Sequence, residues 1–252
     1  MVNQASLSVE LVGCSNFLPP SSVDFATEAQ GGEALIEFAG RACYESFDKP
    51  NPRTRDYDAY IRHVLEVGHM ALFEHATATV YIRGISRVAA AELMRHRHFS
   101  CSQLSQRYVH DDNPVIVPPL VAAADALLSL FQRAADESRF AYKELLSALE
   151  QRLTDEHGEN NALLRMKQAR QAARMILPGA TESRLVVTGN FRTWRHFIGM
   201  RASEHADVEI RTVAVEICRL LSDQAPTAFG DFQIDSLPDG SLMATSPYVT
   251  DF

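Results

Sequence analysis

The sequence predicts a mixed α/β (α+β) fold, a modest central sheet flanked by helices with one long helix among them. Three observations predict it. "SLSVELVG", "HATATVYIRG" and "TESRLVVTG" alternate apolar and polar residues, the pattern of half-buried strands. Longer stretches between them repeat apolar residues every three or four positions, the pattern of helices with one buried face. From about Leu120 to Leu153 that spacing runs on through Leu127, Phe131, Ala134, Ala141, Leu145 and Leu149, with no glycine or proline to stop it.

In chain order, the first strand is expected from Ser6 to Gly13, followed by a loop, "LPPSSVDFATEAQGG". "EALIEFAGRACYES" has helical spacing, and the proline-rich "KPNPRTRD" connects it to a second amphipathic helix, "YDAYIRHVLEVGH", stopped near Gly68. A second strand spans His75 to Gly84, and "SRVAAAELMRHR" follows as a helix capped by Ser86. "NPVIVPP" is a short extended piece before the long helix. "NNALLRMKQARQAARMI" is a further helix, ended by Pro178 and Gly179. The strand "TESRLVVTG" and the helices "NFRTWRHFIGMRAS" and "ADVEIRTVAVEICRLLSD" complete the pattern. No repeat, low-complexity tract or clear linker interrupts it. A single domain over residues 1–236 and a loose polar tail over 237–252 are therefore expected.

Composition narrows the function. The chain has 252 residues, 46% of them apolar and 22% charged, as in ordinary globular proteins. No apolar run approaches the ~20 residues needed to span a bilayer, and "MVNQASLSVELVG" lacks the features of a secretory signal. Cys14, Cys43, Cys101 and Cys218 are scattered without a CxxC pair, which fits free thiols in a reducing cytoplasm. The net charge of −8 argues against general binding to nucleic acid. An acidic chain with one basic pocket fits a small phosphorylated ligand better.

That basic pocket is expected at "RHRHFSCSQLSQRY", Arg95 to Tyr108, where donors crowd into a short stretch. A buried segment carries such groups only if something satisfies them. Arginine forks match phosphate oxygens, and serine hydroxyls can line the same anion. Gln103 can offer a donor and an acceptor to a planar base. Glu92 lies one helical turn from Arg95 and His96. A second basic stripe, Lys167, Arg170 and Arg174, reads equally well as a solvated helix face. On the helix after Asn190, that residue, Trp194, Phe197, Arg201 and His205 share one side, with Arg192 and His196 near the other.

Other chemistries are less well supported. "GHMALFEH" places His69, Glu74 and His75 close together, yet without HExxH or a cysteine pair a metal site is a weak reading. Cys101 sits among arginines that could activate a thiol, though an incidental thiol fits as well. No GxGxxG or GxxxxGK[ST] occurs, so a nucleotide cofactor would be held without a Rossmann or P-loop turn. Ser105 has only Gln106 and Arg107 beside it. His98 and His110 are the nearest candidate bases, so Ser105 suits positioning a ligand better than nucleophilic attack. A metal-dependent phosphate-ester hydrolase and an RNA-binding module are the alternatives.

"RHRHFSCSQLSQRY" resembles the RHR–seven residues–Ser motif of the flavin-dependent thymidylate synthases, with Arg95-His96-Arg97 followed by Ser105. "GHMALFEH" resembles that family's GHxSxxEH segment, and the stretch from "LPGATESRLVV" to "HADVEIR" resembles its C-terminal half. The resemblance implies methylation of dUMP to dTMP, with methylenetetrahydrofolate as carbon donor and NADPH as reductant through FAD. It implies dUMP contacts at Glu92, Leu93, Met94, Arg95, Gln103, Leu104, Ser105, Gln106, Arg107 and Arg174. It implies FAD contacts at Ala71, Arg95, His96, Arg97, Gln103, Asn190, Phe191, Arg192 and His196. Arg201 is the expected catalytic residue, a cation that favours the anionic pyrimidine ring.

The sequence departs from the family at Ala71, where serine or threonine is usual. The lost hydroxyl removes one hydrogen bond, roughly 0.5–1.5 kcal/mol. The family is a homotetramer with sites built from several chains. With Arg201 and the Arg192–His196 pair on different sides of one helix, each helix is expected to serve two pockets.

Overall fold

A computed structural model of the chain describes residues 4–109, 114–157 and 161–249. It is a mixed structure of helices and sheet, with one long helix, as the sequence predicts. Its four-stranded sheet contains β1 (Ser8–Cys14), β2 (Thr77–Ser86), β3 (Ser100–Gln103) and β4 (Glu182–Asn190), in the order β1-β2-β4-β3. Neighbours run antiparallel. The Ser15 amide donates to the Thr77 carbonyl, and the Phe191 amide to that of Ala76.

Three of these strands carry the alternation read from the sequence. In β2, Ala78, Val80 and Ile82 are buried, with Thr77, Thr79 and Tyr81 more exposed between them. In β4, Leu185 and Val187 are buried and Val186 faces out. The sequence reading missed β3. Its residues, Ser-Cys-Ser-Gln, have little strand propensity, so pairing with β4 rather than local preference makes it a strand.

The described residues gather into two compact units. One comprises residues up to Ser8 with 83–91 and 102–185; the other comprises 9–82, 92–101 and 186 onward. The first contains α4 (Pro119–Ala122), α5 (Asp125–His157) and α6 (Ala162–Ala173). The expected long helix thus starts later and runs further, after a break at Ala123–Ala124. Val115 and Ala135 are buried there, with Val117, Phe131 and Ala180 packed on them. The extended "NPVIVPP" is described only from Pro114, and Val115 makes isolated bridges to Gln4 and Thr181.

The second unit contains α1 (Gly31–Ala42), α2 (Tyr57–Glu66), α7 (Phe191–Arg201), α8 (Val208–Gln224) and α9 (Pro226–Phe229). Helix α7 is anchored by Trp194, Phe197 and Ile198, all fully buried, and the Trp194 indole donates to the Ala78 carbonyl at 3.0 Å. Gly68, where α2 was expected to stop, has a φ of +73°, a left-handed conformation suited to glycine.

The loop "LPPSSVDFATEAQGG" is held by aromatic packing of Phe17 and Phe25 on Phe38. The segment expected as a loose tail is in part a hairpin, β5 (Gln233–Ser236) with β6 (Leu242–Thr245). Arg211 donates to the Ser241 hydroxyl at 2.8 Å, and Ala244 is buried, so these residues are docked. Arg211 also lies 3.7 Å from Asp239, a contact that composition alone does not reveal.

Candidate active site

Helix α3 (Arg87–Met94) starts where the sequence reading put it, with the Ser86 hydroxyl accepting from the Ala89 amide at 3.0 Å. Such a cap contributes about 1 kcal/mol. It ends at Met94, earlier than expected, so Arg95, His96 and Arg97 leave the helix. The Arg95 amide bonds to the Glu92 carbonyl and the His96 amide to that of Leu93.

That turn brings His96 to the end of α7. Arg201 Nε donates to His96 Nε2 at 2.9 Å, and Arg201 Nη1 lies 3.7 Å from Glu92 Oε2. The imidazole lies edge-on to Phe197 at 5.1 Å between centroids, with His196 at 6.1 Å and Phe99 at 6.3 Å. Burial and the nearby Arg201, His196 and Arg95 lower the His96 pKa to about 4. His96 is therefore neutral near pH 7, and because Nε2 accepts, its proton sits on Nδ1.

Within one chain His196 and Arg201 both approach His96.

Arg192 and Ala71 come together in a second feature, a cleft of about 480 Å³. Gly40, Tyr44, Tyr60, Met70 and Leu72 also line it. A volume of that order suits a small-molecule site, and the aromatic and apolar lining with one arginine has the expected character. Glu74 pairs with Arg192 at 2.5 Å, both half-exposed, and His69 lines the same cleft. Among the described residues no cluster of His, Cys, Asp and Glu suited to a metal ion occurs.

Tyr44, Tyr60 and Gly40 were missed in the sequence. No spacing relates the end of α1 to α2 and the 70–74 turn. Gly40 makes their approach possible, since a Cβ there would come within 2.0 Å of the Tyr60 hydroxyl.

The remaining flavin candidates differ in access. Asn190 uses its Oδ1 to cap α7, accepting from the Thr193 amide at 2.8 Å. Phe191 is 1% exposed, its ring packs on Phe229 at 5.0 Å and its amide donates to the Ala76 carbonyl. Arg97 is exposed. Of the nucleotide candidates on α3, Leu93 is wholly buried and Met94 and Arg95 are exposed.

The rest of the motif lies in the other unit. Gln103 Nε2 donates to the Ser183 hydroxyl at 2.8 Å, and the Leu104 amide to the Arg184 carbonyl at 2.9 Å. The Ser105 hydroxyl accepts from the Arg107 amide at 3.4 Å. Gln106 is 5% exposed. Arg107 Nε is buried without a hydrogen-bond partner among the described residues. The protein itself thus satisfies some of the crowded donors and leaves Arg107 Nε unmatched, as a site for an anion would.

Lys167 and Arg170, read as equally compatible with a solvated face, hold Tyr108. Arg170 is 3% exposed and donates to the Tyr108 carbonyl at 2.7 Å, while Lys167 Nζ lies 4.4 Å from the Tyr108 ring centre. Arg174, partly buried, follows α6 in a short 3₁₀ turn. His110, considered as a base for Ser105, lies outside the described residues.

Comparison with known proteins identifies the family. A family model described as "Thymidylate synthase complementing protein" matches residues 25–227. A flavin-dependent thymidylate synthase of Corynebacterium glutamicum is 67% identical over all of both chains. One of Mycobacteroides abscessus is 57% identical over 99% of each, and one of Mycobacterium marinum 55% identical over all of both. Neither the hydrolase nor the RNA-binding alternative finds support in these matches. A match over most of the chain and full-length relatives at this identity place it in one family: the chain belongs to the flavin-dependent thymidylate synthases.

Proposed function

We propose that the protein methylates dUMP to dTMP, taking the carbon from methylenetetrahydrofolate and reducing equivalents from NADPH through FAD. The observation that carries the reading is Arg201, held at Nε by His96 and flanked by Glu92, in a chain with the family's RHR motif. Uracil C5 becomes nucleophilic only as electron density moves onto it. A fixed guanidinium at the pyrimidine edge stabilises the charge that develops.

The residues fit a flavin. The cleft beside Ala71 and Arg192 offers aromatic walls and a cation, and His96, His196 and Arg97 add polar groups. Gln103, Arg95, Asn190 and Phe191 complete the proposed FAD contacts. When bound, FAD relays reducing equivalents. The nucleotide would use Glu92 to Arg95, Gln103 to Arg107, and Arg174. In that set the unmatched Arg107 Nε suits the phosphate.

A homotetramer in a reducing cytoplasm completes the proposal, with no membrane or nucleic-acid partner. Supporting assembly, Leu127, Leu130 and Phe140 on α5 are each more than half exposed. No helix among the described residues is long and apolar enough to cross a membrane.

The test supplies dUMP, methylenetetrahydrofolate, NADPH and FAD and measures dTMP. Purified protein should show flavin absorbance, and Arg201→Lys should retain it while losing nearly all turnover, since lysine lacks the planar fork. Protein that stays colourless after excess FAD, or forms no dTMP, would refute the reading. Sedimentation tests the tetramer, and a monomer would remove that part.

A further inference from the structure

We propose that His96 is a positioning residue for Arg201: its Nε2 lone pair holds Arg201 Nε and so presents the free Nη2 to the pyrimidine. This rests on the proposed role of Arg201. It goes beyond it by assigning what sets that side chain's direction.

The three guanidinium nitrogens differ in what holds them. Nε is bonded to His96 at 2.9 Å, and Nη1 is drawn toward Glu92 at 3.7 Å. Nη2 has no hydrogen-bond partner within the described residues, and the side chain is 22% exposed. Nε and Nη1 are therefore engaged by the protein, and Nη2 is open to a ligand. A long, flexible side chain at a helix C-terminus needs such an anchor to point one way.

The anchor works only if the imidazole is neutral, because an imidazolium has two donors and no lone pair. The surroundings keep it so. The charged and titratable groups facing the ring are Arg201, His196 and Arg95, and Phe197 and Phe99 pack near it. Glu92, the nearby carboxylate, approaches Arg201. A carboxylate on the imidazole would favour its charged form and break the contact. Arrangement and protonation state thus serve the same end.

Two variants separate this role from packing. His96→Phe keeps a ring and has no acceptor; His96→Gln offers a carbonyl oxygen. Each is assayed at saturating FAD, with FAD affinity measured separately by absorbance titration, because the same ring is proposed to contact the flavin. In His96→Phe, kcat should fall on the order of 100-fold while the KM for dUMP changes less than about threefold. His96→Gln should recover at least about a tenth of wild-type kcat.

The second readout is ¹⁵N NMR of histidine-labelled protein. Wild-type His96 should show unprotonated Nε2 at pH 7, and Arg201→Ala should move its titration midpoint up toward the ordinary histidine value of about 6.5. Equal loss in the Gln and Phe variants, or an unmoved midpoint in Arg201→Ala, would overturn the proposal. The NMR arm decides the question even if His96→Phe does not fold. Failure of the wild-type protein to form dTMP would instead strike the proposed function, and the NMR result would be unaffected.

Discussion

Asp231→Ala should be among the most damaging single substitutions far from the reacting groups. Its partner, Arg195, lies on α7 between His196 and Trp194 and is 0% exposed. Asp231 receives two hydrogen bonds from it, each 2.6 Å, and the Ala228 carbonyl accepts another at 2.5 Å. The guanidinium also lies 4.9 Å from the Phe232 ring centre and 5.7 Å from that of Phe73. Removing the carboxylate leaves a buried cation with one carbonyl, aromatic faces and a long contact to Ser246. Loss of one partner from such a pair costs about 3–5 kcal/mol.

At roughly 2–4 °C per kcal/mol for a chain of this size, the unfolding midpoint should fall by about 6–20 °C. Thermal melts followed by far-UV circular dichroism measure it. Arg195→Met combined with Asp231→Leu removes both charges and should recover much of the loss, because well-packed apolar replacements avoid the desolvation penalty. A drop below about 3 °C for Asp231→Ala, or a double variant no better than the single, would refute the reasoning.

Gly84→Ala should cost at least about 2 kcal/mol, because Gly84 has a φ of +72° and its new Cβ would lie 2.0 Å from the Ser6 carbonyl oxygen; a melt within 2 °C of wild type would contradict this. Stability should fall as pH drops from about 6.5 toward about 4, since the unfolded chain takes up a proton that native His96 refuses. Urea unfolding across that window should show a shallower pH dependence in His96→Phe, and an unchanged slope would remove His96 as its source. Cys101→Ala should keep activity within about threefold, because the thiol is exposed and surrounding protein pushes its pKa above the ordinary value; complete loss with flavin retained would revive a nucleophilic role. Glu74→Gln frees Arg192 from a half-exposed pair and should tighten FAD binding about 2–5-fold, whereas weaker binding would mark Glu74 itself as a contact.

Most helices and three strands of the main sheet were legible because their cause is local. Alternation at period two exposes alternate faces of a strand, as in Ala78, Val80 and Ile82, and Ser86, Asn190 and Asp207 cap helices through atoms a few residues away. The RHR motif was legible too, as an unusual density of donors in a short stretch, although the structure leaves Arg95 and Arg97 exposed. Other features depended on residues distant in sequence. Strand β3 exists because β4 pairs with it, and the C-terminal hairpin is held by Arg211 and the Arg195–Asp231–Ser246 network. The cleft beside Ala71 depends on Gly40 allowing Tyr60 close, and the bridge from Arg201 to His96 spans 105 positions. Periodicity records which face of an element is buried. Which distant side chain meets it, and therefore how His96 is protonated and where Arg201 points, is decided only when the packed structure sets their separation and shields them from water.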